Sequence, residues 1–84
     1  MIMQELYPIK VEAHSGYEAY EYPKRFQWND EWFDIEEIID RWFQGDKDPN
    51  VPASDYFKVK AQNGKVFLLK HTLEKEEWML TPLK

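Results

Sequence analysis

The chain contains no cysteine, so neither a disulfide nor a thiolate metal site stabilises its fold. No stretch approaches the roughly 20 apolar residues of a membrane span, and the first six residues lack the basic start and apolar run of a signal peptide. Positive charge is also in deficit, because 11 Lys and Arg stand against 16 Asp and Glu, for a net charge of −5. We therefore expect a cytoplasmic protein that does not bind membranes and does not bind nucleic acid broadly through charge.

Aromatic residues are abundant instead, with four Trp, five Tyr and five Phe in 84 residues. Each ring buries a large apolar area while losing few torsions. A chain of this length buries only about 60–65% of its unfolded surface, so it needs such dense anchors. The composition predicts a single domain over residues 1–84 with one aromatic core.

Apolar and polar residues alternate with the period of a half-buried strand, which predicts an all-β fold. The first strand is expected over residues 9–14 and the second over residues 19–28, where Pro23 indicates an edge position or a bulge. Asn29 and Asp30 tolerate a left-handed backbone and predict a two-residue turn. This turn predicts three cross-strand pairs: Arg25 with Asp34, Phe26 with Phe33, and Gln27 with Trp32.

Residues 31–43 fit two structures. Ile35, Ile38, Ile39 and Trp42 have the i, i+3, i+4, i+7 spacing of a helix, for which residue 34 would be the cap. The same segment is rich in β-branched and aromatic residues, which favours a strand with a bulge near residues 36–37. We favour the strand and keep a helical turn near residues 35–43 as the alternative.

Asn63-Gly64 is the strongest short hairpin signal in the chain, typical of a type I′ turn, and it predicts pairing of residues 56–61 with residues 66–71. Residues 66–69 are apolar on both faces, which indicates a central strand. A loop at 44–55 and a last strand around Trp78 complete an antiparallel meander, or an SH3-like or OB-like half-barrel, of five or six strands. The expected core is Val11, Phe26, Phe33, Ile35, Phe57, Val59, Leu68 and Trp78.

Core and turn positions form the pattern Pro23-x-x-Phe26-x-Trp28, Trp32-Phe33-x-Ile35-x-x-Ile38-Ile39-Asp40-x-Trp42, Tyr56-Phe57-x-Val59 before Asn63-Gly64, and Trp78-x-Leu80. This pattern resembles that of a family of short uncharacterised bacterial proteins, a domain of unknown function. The resemblance covers the chain from about Val11 onward. It implies a bacterial, cytoplasmic β domain and brings no activity with it.

No motif predicts catalysis, and we expect no enzymatic activity and no cofactor. Residues 46–50 imitate the start of a calcium loop, but Val51 and Phe57 stand where that loop needs Gly and Glu. Nothing in the sequence places His14 and His71 together as metal ligands. The remaining candidates are four clustered carboxylates, which we interpret as a solvated strand face: Asp34, Glu36, Glu37 and Asp40.

Two binding functions remain. Tyr17 and Trp32 are the aromatics least easily assigned to the core, and exposed rings of this kind are enriched at interfaces. They predict a module that binds a protein partner, or a second copy of itself, through an aromatic patch. The alternative is single-stranded nucleic acid, held by lysines for phosphates and rings for bases. Its candidate residues surround the Asn-Gly hairpin: Lys58, Lys60, Lys65, Phe67 and Lys70.

Overall fold

The computed structural model describes residues 6–15, 21–45, 50 and 53–83, and over these residues the chain is all-β and antiparallel. Within this part of the chain no helix is long and apolar enough to cross a membrane. The described residues form seven strands in one sheet, one or two more than predicted, because Tyr7–Pro8 is too short to be visible as a pattern. The strands are β1 (Tyr7–Pro8), β2 (Val11–Ser15), β3 (Glu21–Trp28), β4 (Glu31–Gln44), β5 (Ser54–Ala61), β6 (Val66–Thr72) and β7 (Glu77–Leu83).

The two edge strands of the sheet, β1 and β2, are consecutive in the chain, so the sheet curls into a half-barrel that brings its two edges close together. The strand order is β1-β7-β6-β5-β4-β3-β2, so β1 and β2 lie at opposite ends and only residues 9 and 10 join them. The Ile9 N–H donates to the Trp78 carbonyl at 3.1 Å, and the Lys10 carbonyl accepts from the Gln27 N–H at 2.9 Å. These two bonds tie the short connection to both ends of the sheet.

The β3–β4 hairpin has the predicted turn and register. Asn29 and Asp30 both have positive φ, 54° and 63°, as a tight two-residue turn requires. The three predicted cross-strand pairs, including Gln27 with Trp32, are all present. Glu12 of β2 pairs with Arg25 and Ala13 pairs with the buried Pro23, so Lys24 is an extra residue on β3 and the predicted bulge at Pro23 is confirmed.

The segment that fitted both helix and strand is a strand. β4 runs unbroken for 14 residues, and the predicted bulge near residues 36–37 lies between Ile35 and Glu37. A second bulge, which the sequence pattern did not predict, lies between Ile38 and Asp40. β4 ends at Gln44 and β5 begins at residue 54, so the predicted loop separates them.

The β5–β6 hairpin has the predicted strands but a different turn. Only Gly64 has positive φ, at 86°, and its N–H donates to the Ala61 carbonyl at 2.9 Å. Ala61 in turn donates to the Lys65 carbonyl, so three residues rather than two form the loop. The extra loop residue shifts the register by one and pairs Val59 with Phe67. A one-residue shift moves every side chain to the opposite face.

This shift corrects one predicted core residue. Leu68 lies half-buried on the outer face, opposite Lys58, whereas Leu69 is fully buried opposite Phe57. β6 is nevertheless central, between β5 and β7, as predicted. Of the other predicted core residues, three are buried and four are partly buried against the core. The buried core consists of Phe26, Phe57, Val59, Ala61, Phe67, Leu69 and Leu80, and the partly buried predictions are Val11, Phe33, Ile35 and Trp78.

Candidate functional site

β4 changes partner halfway along its length. Residues 31–34 pair with β3, and this pairing ends where Asp34 meets Arg25. From Ile35 to Gln44 the described residues pair β4 only with β5. A bulge bends its strand and increases the local twist, so the two bulges carry the second half of β4 away from β3. We call residues 35–44 the distal half of β4.

A cavity of about 240 Å³ marks the place where the two strands part. One wall is the beginning of β3 and the other is the start of the distal half of β4. We call this opening the fork. Its lining residues are Tyr22, Pro23, Lys24, Ile35, Glu36, Glu37 and Ile38.

The distal half of β4 exposes four large apolar side chains within six residues. Ile38, Ile39, Trp42 and Phe43 are 36%, 43%, 39% and 61% exposed. Single exposed apolar residues are ordinary, but a contiguous group of this size is typical of an interaction surface. Phe43 is the most exposed of the large apolar residues in the described chain.

These side chains lie on both faces of the strand. Ile38 is opposite the buried Val59, and Phe43 shares that inner face because its partner, residue 55, is on the same side of β5. Trp42 is opposite Tyr56 on the outer face, where the two rings stack with centroids 5.3 Å apart and planes 7° from parallel. The apolar surface therefore wraps around the free edge of β4 and is not confined to one face.

The backbone of that edge can be assigned from neighbouring hydrogen bonds. Gln62 donates to Asp34 on β4, whereas Ala61 donates to the β6 side, so even-numbered residues of β5 face β4. Because backbone groups alternate along a strand, Trp42 opposite residue 56 faces β5 and Phe43 faces the free edge.

The neighbouring residue confirms this alternation. The Arg41 N–H donates to the side-chain carboxylate of Asp40 at 2.8 Å, which agrees with an amide that points away from β5. The Asp40 carboxylate thus accepts a hydrogen bond from one backbone donor of this edge, the Arg41 N–H. Arg41 itself is held by Asp55, 3.5 Å away, and its guanidinium lies 4.9 Å from the centre of the Phe57 ring.

The free edge has a negative bias. Glu36, Glu37 and Asp40 lie along it, with Lys24 as the one cation lining the fork among the described residues. Glu37 and Asp40 are opposite Lys60 and Lys58, which places both acids on the outer face. The inner face of the same edge presents the apolar Ile38 and Phe43. The two faces of the edge therefore differ in character: the outer face carries the acids, and the inner face carries Ile38 and Phe43 with the Arg41 side chain between them.

The predicted aromatic patch is only partly visible. Trp32 lies on the outer face as expected and is 37% exposed, but the Arg25 guanidinium sits over its ring at 4.8 Å. Tyr17 lies outside the described residues. Trp32 and Trp42 are at opposite ends of β4, ten positions apart, so they do not form one patch.

The lysines of the alternative function do gather on one face. Lys58, Lys60 and Lys70 lie on the outer face of β5 and β6, and the Lys70 ammonium is 5.8 Å from the centre of the Tyr56 ring. Lys60 lies 3.9 Å from Glu36, however. Lys65 is exposed beside the turn.

Phe67 does not join these lysines, because it is only 2% exposed and packs edge-on against Phe26, with ring centroids 5.0 Å apart. Its ring cannot stack on a base.

The remaining sequence candidates are dispersed. His71 is buried on the inner face, stacked on Trp78 with ring centroids 4.2 Å apart, and its Nδ1 has no hydrogen-bond partner among the described residues. Of His14 only the backbone is described, and the calcium-like residues 46–49 and 51 lie outside the described part. Over the described residues no three His, Asp or Glu side chains group as metal ligands.

Comparisons of the chain with protein-family models, with curated proteins and with solved structures find no match. The resemblance to a family of short bacterial proteins gains no support from them.

Sequence reasoning did not identify Ile39 and Phe43 as surface residues. A signal for them exists in the doublets Ile38-Ile39 and Trp42-Phe43, because adjacent residues of a strand point to opposite faces. Two apolar neighbours near the end of a strand therefore leave one of them outside a small core unless both faces are covered.

Proposed function

We propose that this chain is a non-enzymatic binding module that recognises a protein partner through the distal half of β4. The observation that carries the proposal is the exposure of four large apolar side chains around a strand edge that pairs with nothing else in the described residues. Long apolar edges are liabilities that proteins otherwise cover or blunt. A cytoplasmic location belongs to the same proposal, on the ground that the chain has no Cys.

The test is selection of peptide ligands from a displayed library of random peptides, followed by calorimetric affinities for single variants. Trp42→Ala should weaken binding by about 2 kcal/mol or more, the size typical of an aromatic hot spot. Trp32→Ala is the matched control on the same strand and should change the affinity by less than about 0.5 kcal/mol.

Two results would contradict the proposal. One is a library from which no binder is enriched. The other is a larger loss of affinity for Trp32→Ala than for Trp42→Ala, which would place the interface at the Trp32 end of β4.

Single-stranded nucleic acid is the second candidate. It is supported by the shared outer face of Lys58, Lys60 and Lys70 beside the Tyr56–Trp42 stack. Against it stand Glu36 next to Lys60 and the net charge of −5, which reduce the local positive potential that phosphates require. We therefore rank it below protein binding.

A further inference from the structure

We infer that the partner segment binds as an added β-strand along the free edge of β4, and that it is an extended peptide in which apolar and basic residues alternate. This inference rests on the proposed function and specifies the form and the chemistry of the ligand. In strand addition, main-chain hydrogen bonds to an exposed edge supply affinity and alternate side chains supply specificity.

The placement of the apolar residues carries the first step. Ile38 and Phe43 lie on the inner face and Trp42 on the outer face, so a partner docked flat on one face would miss part of the exposed surface. A strand beside the edge projects side chains alternately above and below the sheet. That arrangement contacts both faces along the length of β4.

The backbone carries the second step. Residues 40–44 pair with β5 without a bulge, whereas both bulges lie earlier in the distal half. Phe43 directs its N–H and C=O to the free edge, and the Arg41 N–H donates to the neighbouring Asp40 carboxylate. The fork, about 240 Å³ in volume, extends this edge toward the start of β3. A regular edge of five residues with a cavity at one end suits a short extended segment.

Charge determines the chemistry of the partner. Glu37 and Asp40 lie on the outer face of the edge, while the inner face presents Ile38 and Phe43. The one cation of this stretch of β4, Arg41, lies on the inner face and is paired with Asp55. A strand with basic residues on one face and apolar residues on the other complements this pattern. A second copy of the chain does not supply such a strand, because antiparallel pairing of two copies over residues 40–44 sets Asp40 opposite Gln44, which offers that acid no basic partner.

The probe is a blocked eight-residue peptide that alternates lysine and valine, together with two N-methylated forms. Methylation of the backbone nitrogen of every valine blocks one edge of the extended peptide, and methylation of the backbone nitrogen of every lysine blocks the other. Since a strand offers one edge to β4, one methylated form should lose about tenfold or more in affinity and the other should bind within about threefold of the parent. A peptide alternating glutamate and valine should bind at least about tenfold more weakly than the parent.

The matched protein variants are Phe43→Ala and Phe43→Pro. Both remove the ring, but only proline removes the N–H that faces the free edge, and proline is tolerated on an edge strand. We expect Phe43→Pro to bind the lysine–valine peptide about tenfold more weakly than Phe43→Ala does. Circular dichroism and the melting temperature of each variant establish that both remain folded, and the methylated peptides repeat the test without altering the protein.

The outcomes separate the two proposals. Equal losses for both methylated peptides and for both Phe43 variants would overturn strand addition while leaving the distal half of β4 as the interface. Absence of binding to the parent peptide would overturn the partner chemistry, while library selection tests the interface independently. Sedimentation could instead show a concentration-dependent dimer that Phe43→Pro disrupts. That result would mean that the added strand comes from a second copy of this chain and not from another protein.

Discussion

At the scale of single residues, Phe43 on β4 and Phe57 on β5 contribute differently to stability. Phe57 is fully buried, whereas Phe43 is 61% exposed. Phe57→Ala should lower the free energy of unfolding by about 3–5 kcal/mol, the usual cost of removing a packed ring. Against a total of roughly 5 kcal/mol for a small domain, that loss nearly unfolds the protein.

Phe43→Ala is the control for that measurement and should cost less than about 1 kcal/mol, as surface substitutions do. Urea denaturation of the two variants checks both values. Equal losses would mean that the inner face of β5 does not form the core described here.

His71 offers a second test at this scale. Its ring stacks on Trp78, and its Nδ1 is buried without a partner in the described part of the chain. A buried polar atom without a hydrogen bond costs about 1–3 kcal/mol, and an apolar group of similar shape avoids that cost. His71→Phe should therefore keep or raise the melting temperature, while His71→Ala should lower it. A melting temperature that falls equally in both variants would show that Nδ1 contributes a stabilising bond.

At the scale of elements, the turns decide how much the sequence can predict. Asn29-Asp30 forms the expected two-residue turn, so the register of β3 with β4 and the outward position of Trp32 are as predicted. Asn63-Gly64 contains the better turn signal but forms a three-residue loop, in which Asn63 accepts a hydrogen bond from the Lys65 N–H at 3.0 Å.

The resulting shift exchanges the faces of Phe67 and Leu68. The apolar run at 66–69 gives no alternation by which to detect it. The distal half of β4 shows the same limit, because the sequence predicts the bulge near residues 36–37, but the second one, between Ile38 and Asp40, has no signal in the spacing.

The backbone conformation of Gly64 gives a test of the three-residue loop between β5 and β6. Gly64 has a φ of 86°, a conformation that side-chain-bearing residues rarely adopt. Gly64→Ala should therefore lower the free energy of unfolding by about 1 kcal/mol or more. Asp30→Gly is the opposite case, since Asp30 already has a φ of 63° and glycine is favoured at that position of the turn. Thermal denaturation should show a fall for the first variant and no fall for the second; a Gly64→Ala variant as stable as the parent would contradict the assigned loop.

At the scale of the whole molecule, charge separates the two candidate functions. The net charge is −5, and Lys58 and Lys60 are opposite acids on β4. If the lysine face bound single strands, affinity would fall steeply with salt, and each lysine removed would reduce the slope by about 0.7. We expect no binding of a mixed oligonucleotide at micromolar concentration in physiological salt. Binding that Lys58→Ala and Lys60→Ala abolish would reverse the ranking.

The central claim is that the free edge of β4 receives a peptide strand. Amide hydrogen exchange, followed by nuclear magnetic resonance with and without a saturating lysine–valine peptide, tests it most directly. The Phe43 amide faces the free edge, so strand addition predicts that its exchange slows by about tenfold or more when the peptide binds, while the Trp42 amide, already paired with β5, changes little. Unchanged exchange at Phe43, with peptide-induced shifts centred on Trp32 or on Lys58 and Lys70, would contradict the account.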